Sequence, residues 1–216
     1  DTLRRFLLSQ NYRVTFVSNY TDVDDKIIHK AISEQTDTQT ISERFIRVFE
    51  QNLAAVNALI PDVTPRATAY VHKMVTFIND LINKGFAYET EDGVYFEIDK
   101  FPEFGKLSNR NVDELESHRD IAETTKKNPQ DFALWKKRIG VDEPTWSSPW
   151  GDGRPGWHIE DTAITEYYFG PQYDVHGGGL DLIFPHHEAE ITQMEAVSGK
   201  APMVKFWLHT GFLNVN

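Results

Sequence analysis

Two runs of residues in the last third of this chain have the types and spacing for chemistry. The first is Gly153-Arg154-Pro155-Gly156-Trp157-His158-Ile159-Glu160-Asp161. The second runs from His176-Gly177-Gly178-Gly179-Leu180-Asp181 to His186-His187-Glu188-Ala189-Glu190. Five of the eight histidines fall between positions 158 and 209, interleaved with carboxylates, glycines and aromatics. A plain core excludes such side chains, and a surface helix scatters them. His186 and Glu190 are four residues apart, so a helix would set both on one face, able to grip one ion. A neutral imidazole beside a carboxylate suits Zn2+, and Asp161 is a candidate third ligand. Spacing alone leaves two readings open: a metal site, or a hydrogen-bonded structural cluster.

The glycine run at 177–179 fits neither a helix nor a strand interior, so it predicts a loop on which a flat ligand could lie against backbone. Asp181, two residues on, is placed to accept hydrogen bonds from ribose hydroxyls, although glycine-rich loops alone are weak evidence for a nucleotide. Trp157 and His158 are candidates to line the pocket, with ordinary core packing the plainer reading of Trp157.

The elements that must position these residues alternate along the chain. Residues 2–10 read as a helix and Arg13–Val17 as a strand, which together make half of an α/β unit. The loop at 19–25 carries Asp22, Asp24 and Asp25. These carboxylates suit either a ligand site at a strand end or the N-terminus of a following helix. Ser42–Leu59 and Pro65–Lys84 read as long helices with apolar stripes at helical spacing. From Phe86 the character changes to a hairpin over 86–98, then to polar chain with charged stretches at Asp113–Glu116 and Lys126–Lys127. Asp131–Lys137 reads as a packed turn or a cleft wall. Pro144–Gly151 reads as a rigid aromatic connector, and Glu160–Phe169 as a helix.

Composition sets looser bounds. A hydrophobic content of 40% in 216 residues argues for a folded globule with a sizeable core. The absence of cysteine excludes disulfides and thiolate fingers within this segment and fits a reducing cytoplasm. No apolar run approaches the length of a membrane span. The net charge of −11 argues against a surface that grips nucleic acid everywhere, while leaving room for a local basic track.

Several long motifs carry a family resemblance. Asn19-Tyr20-Thr21-Asp22-Val23-Asp24-Asp25-Lys26-Ile27-Ile28, Asn128-Pro129 through Trp135-Lys136, Trp146 through Gly151, Gly153 through Glu160 and His176 through Glu190 together resemble cysteinyl-tRNA synthetases. They follow that family's order from near residue 1 to residue 216. The resemblance implies an α/β fold: a Rossmann-type class I synthetase catalytic domain with a connective insertion. Residues 1–85 and 146–216 would be its two parts, and 86–145 the insertion.

It also implies activation of L-cysteine with ATP, assisted by Mg2+, followed by transfer to tRNA(Cys) in the cytoplasm, with no membrane partner. One Zn2+ would select the substrate thiolate against serine, because a thiol deprotonates readily on the metal and an alcohol does not. The family's histidine and glutamate ligands fall on His186 and Glu190. A family cysteine ligand falls on Asp161, a harder oxygen donor. Thr21, Trp157, His176 and His187 match substrate contacts, and Gly179 and Asp181 match adenosine and ribose contacts. The HIGH-type and KMSKS-type motifs are expected before Asp1 and after Asn216, so the segment by itself is expected to be inactive. Two other readings share these motifs: a ligase joining cysteine to an amino sugar in thiol biosynthesis, and a non-catalytic synthetase paralogue.

Overall fold

The structure is a computed structural model and describes residues 1–109, 125–138 and 143–214. The charged stretch at Asp113–Glu116 and part of the expected insertion lie outside the described residues. The chain divides into two compact units, a first comprising Asp1–Tyr70 and a second that begins at Val71.

In the first unit, α1 (Thr2–Ser9), α2 (Asp25–Ser33) and α3 (Thr38–Ala55) follow the apolar periodicity, with shifted ends. Helix α3 begins at Thr38 rather than Ser42 because Asp37 caps it, its carboxylate accepting from the Thr40 N–H at 2.7 Å. Two carboxylates of the 19–25 loop likewise bind backbone or side-chain donors of their own unit. Asp24 caps α2 through the Lys26 N–H at 2.9 Å, and Asp22 accepts from the N–H and hydroxyl of Thr68 at 2.9 and 2.6 Å. The strand expected at 13–17 is reduced to isolated parallel bridges, Val17 with Val63 and Tyr20 with Arg66. Pro61 and Pro65 sit in the partner segment and have no N–H to extend a ladder.

The second unit opens with α4 (Val71–Asn83), preceded by a 3-10 turn over Ala67–Tyr70 rather than by helix from Pro65. Strands β1 (Ala87–Glu89), β2 (Gly93–Phe96), β3 (Phe132–Lys137) and β4 (Gly153–Pro155) form an antiparallel sheet in that order. The 86–98 hairpin is therefore present. The segment at 131–137 is a central strand, with Leu134 and Trp135 wholly buried. Helix α5 spans Trp157–Phe169.

Strand β5 (Tyr173–Gly179), helix α6 (Glu188–Ser198) and strand β6 (Val204–Thr210) make a β–α–β crossover with parallel strands, the building block of Rossmann-type sheets. This corrects the expected loop at 177–179, because all three glycines are paired in β5, Gly178 opposite His209. The physical reason is room. A Cβ on Gly178 would sit 2.7 Å from the His187 ring, and one on Gly179 would collide with the Asp181 carboxylate. Glycine here lets an imidazole and a carboxylate lie on strand backbone.

Helix α6 is the centre of the unit, and every residue from Glu188 to Ala196 is buried. A helix buried on all sides needs partners for its charges. Glu188 receives the N–H groups of Gly105 at 3.1 Å and Ser108 at 2.6 Å. Glu195 receives Lys106 at 2.5 Å and the Met203 N–H at 2.9 Å.

Candidate metal centre

Glu190 is the exception on that helix. Its side chain has no exposed surface, and neither carboxylate oxygen receives a hydrogen bond. Instead it faces imidazoles: His186 Nε2 at 3.3 Å and His187 Nε2 at 4.0 Å from Oε1, and His176 Nε2 at 3.8 Å from Oε2. Asp161, in the second turn of α5, reaches His186 Nε2 at 2.6 Å. The donor atoms of Asp161, His186 and Glu190 lie within 4.8 Å of one another, as do those of His176, His187 and Glu190.

Three elements deliver these groups. Helix α5 supplies Asp161, strand β5 supplies His176, and the irregular turn Ile183–His187 leads His186 and His187 into α6. The turn is not a plain helix start with Pro185 in its first turn, because Phe184 adopts extended backbone within it. The i, i+4 relation of His186 and Glu190 survives nonetheless.

A second ring of contacts orients the imidazoles. His158 Nδ1 meets His186 Nδ1 at 2.8 Å, His209 Nε2 meets His187 Nδ1 at 2.8 Å, and the Tyr173 hydroxyl meets His176 Nδ1 at 2.6 Å. In all three histidines Nδ1 is engaged and Nε2 is left pointing inward, as outer partners do for metal-bound histidines. Trp157 stacks on His186, with ring centroids 4.2 Å apart. Trp207 packs against both His176 and His187.

His209, Trp207 and Tyr173 were not singled out from the sequence. Strand alternation puts Trp207 and His209 on one face of β6, but only the register of His176 with Trp207 and Gly178 with His209 aligns that face with the site. Asp181 is exposed in the short turn after β5, with its carboxylate folded against Gly179. Thr21 belongs to the first unit, where it lines a shallow cavity with Tyr20, Phe45 and Phe49.

The electrostatics follow from burial. The Glu190 carboxyl is pushed well above the ordinary carboxylate range by burial and then by the charge of Asp161. Burial pulls His176 down to about 4. Burial and the neighbouring imidazoles pull His187 down to about 3. At neutral pH these two rings are neutral, the form that ligates metals. A buried acid with no hydrogen-bond donor, facing imidazole nitrogens, is what a cation would satisfy. The donor set of imidazole and carboxylate fits Zn2+. Ligand bonds of about 2.0–2.1 Å at tetrahedral angles put nitrogen and oxygen roughly 3.3 Å apart. The His186–Glu190 spacing meets this, while the direct hydrogen bond from His186 to Asp161 would open by several tenths of an ångström.

A pH prediction follows for the metal-free protein. Glu190 has its folded pKa raised above the ordinary 4.5, so its contribution to stability is full below that pH and lost as pH rises toward the folded value. His176 and His187 have theirs lowered from 6.5, so their contribution is full above 6.5 and lost as pH falls toward about 4 and 3. Between 4.5 and 6.5 two histidine protons oppose one glutamate proton, so the contribution of these groups to stability rises with pH. Urea unfolding of chelator-treated protein should show stability rising with pH between 4.5 and 6.5. The rise should be steeper in a Glu190→Met variant, which lacks the opposing glutamate proton.

Comparison with known proteins gives this arrangement a family. The model described as "tRNA synthetases class I (C) catalytic domain" matches residues 1–216. A cysteine–tRNA ligase of Thermoplasma acidophilum is 49% identical over 217 residues, covering 100% of this chain and 48% of that protein. One from Methanococcus maripaludis is 51% identical, covering 100% and 45%. The chain therefore spans about half the length of the curated relatives it matches. A solved structure from Campylobacter jejuni, assigned as an arginyl-tRNA synthetase, aligns with 98% of this chain and 48% of its own at a TM-score of 0.54. At 12% identity that likeness speaks to the fold alone.

Proposed function

This chain belongs to the class I (C) tRNA synthetase catalytic domain family, and from that premise we propose that the full-length protein activates L-cysteine with ATP and Mg2+ and transfers it to tRNA(Cys) in the cytoplasm. Among the described residues no helix is long and apolar enough to cross a membrane. The observation that carries the reading is the unpartnered Glu190 carboxylate surrounded by Asp161, His176, His186 and His187. We assign Asp161, His186 and Glu190 as protein ligands of one Zn2+, which when bound would favour the thiolate of cysteine over the hydroxyl of serine.

The residues of this chain have the following roles in that reading. Trp157 holds the His186 ring in plane by stacking and walls one side of the pocket. His176 and His187, neutral and half-enclosed by Trp207, offer ring nitrogens beside the substrate sulfur without adding a competing charge. Their partners Tyr173 and His209 keep those nitrogens directed at Glu190. Gly179 lets the adenosine approach the strand backbone, and the exposed Asp181 accepts from the ribose hydroxyls. Thr21 contacts the substrate amino acid. Residues 1–85 and 146–216 act as two parts of one Rossmann-type catalytic domain, with 86–145 as the connective insertion.

The test is ATP–pyrophosphate exchange by the full-length protein with cysteine and with serine. Exchange dependent on cysteine and lost on zinc removal supports the reading. Equal exchange with both amino acids overturns it. For the ribose contact, Asp181→Ala should raise the KM for ATP about tenfold, the loss of one or two charge-assisted hydrogen bonds. Unchanged ATP kinetics would remove Asp181 from the nucleotide site.

A further inference from the structure

We propose that His158 is a positioning residue, an obligatory hydrogen-bond acceptor that holds the His186 ring in its ligating tautomer. The inference rests on the assignment of His186 as a zinc ligand, and it concerns a residue outside the ligand set.

His158 Nδ1 and His186 Nδ1 stand 2.8 Å apart, and a contact of that length between two ring nitrogens holds a single hydrogen. One ring donates through Nδ1 and the other offers a lone pair. His186 turns its Nε2 toward Asp161 at 2.6 Å and Glu190 at 3.3 Å. To hold a cation there, a neutral imidazole must offer the lone pair of Nε2, so its hydrogen sits on Nδ1. That hydrogen points at His158 Nδ1, which must then be bare. His158 is thereby fixed as the tautomer with hydrogen on Nε2. Neither its other tautomer nor its imidazolium form fits beside a ligating His186. The tautomers of the two rings are linked, and the side chain at 158 selects between them.

The other two outer partners do not carry this constraint as strictly. The Tyr173 hydroxyl can rotate to donate or accept at His176, and His209 is only half-buried. His158 is 4% exposed. Trp157 lies against its ring at 5.4 Å between centroids, and Phe132 stands edge-on to it at 5.6 Å. Its carbonyl receives the Thr162 hydroxyl at 3.2 Å and the Gln193 amide at 3.3 Å. Ring and backbone are both held, so the acceptor nitrogen keeps its place opposite His186. Phe132, the first residue of β3, thus packs on a residue that acts through the metal ligand.

A side chain that accepts at this point should serve, and one that cannot should fail. Asparagine places its carbonyl oxygen where His158 has Nδ1, whereas phenylalanine keeps the ring shape without an acceptor. Zinc affinity of the full-length protein is measured by competition with a chelating dye for the parent, His158→Asn, His158→Phe and His186→Ala. Neutron diffraction from zinc-loaded parent crystals locates the exchanged hydrogens. His158→Phe should weaken zinc binding about 10–100-fold, and His158→Asn should restore most of it. The neutron map should show deuterium on His186 Nδ1 and on His158 Nε2. Deuterium on His158 Nδ1 overturns the proposal and leaves the zinc assignment standing, and this readout does not depend on any variant folding. Equal losses in the asparagine and phenylalanine variants assign the effect to packing and overturn it too. Undiminished zinc in His186→Ala removes the ligand assignment itself, and the inference with it.

Discussion

Replacing Glu190 by methionine will abolish specific metal binding in the full-length protein and make its metal-free form more stable, by about 1–4 kcal/mol. Two opposite effects come from one cause. Glu190 is buried completely and both its oxygens lack hydrogen-bond donors, whereas its neighbours on the same helix, Glu188 and Glu195, are each bonded. Without a cation the protein must hold Glu190 protonated or bear an uncompensated charge in a medium of low dielectric, and both depress stability. Methionine is flexible enough to fill the volume and carries no charge. Metal analysis together with urea unfolding of chelator-treated parent and variant checks both halves. Retained metal, or a metal-free variant less stable than the parent, would show that Glu190 is an ordinary packed acid.

The second large effect is expected at the opposite ligand. His186→Ala should remove the zinc assigned to this site and lower cysteine activation in the full-length protein by more than the 10–100-fold typical of losing an outer-shell partner. The cysteine-over-serine preference should collapse with it. Asp161→Cys should act in the other direction. Asp161 is engaged with His186 Nε2 at 2.6 Å, a hydrogen bond that competes with ligation. A thiolate is a softer donor that zinc prefers to an aspartate oxygen, so zinc affinity should rise, on the order of 10–100-fold. Competition against a chelating dye measures the affinity directly, independent of activity. Equal affinities for parent and Asp161→Cys would place residue 161 outside the coordination shell.

The sequence by itself determined what depends on short spacing and residue type. The four-residue step from His186 to Glu190 puts both on one side of the chain whether or not the turn before α6 is regular, because a single helical turn suffices. The periodicities of α1, α3 and α4 and the 86–98 hairpin were legible for the same reason: each is a local preference for one pattern of burial. Asp161 was a candidate third ligand from its residue type, and the family resemblance of its motif gave it a ligand position.

Tertiary structure decided what depends on distant segments meeting. Gly177–Gly179 has the composition of a loop, and it is a strand because β6, about thirty residues later, supplies its hydrogen bonds, while His187 and Asp181 occupy the space where side chains on Gly178 and Gly179 would be. The same pairing recruits Trp207 and His209, which carry no motif and gain a role only from lying opposite His176 and Gly178. The bare carboxylate of Glu190 was invisible for a related reason. Whether a buried carboxylate is bonded or bare is a property of everything packed around it, and sequence spacing specifies only its neighbours on one helix.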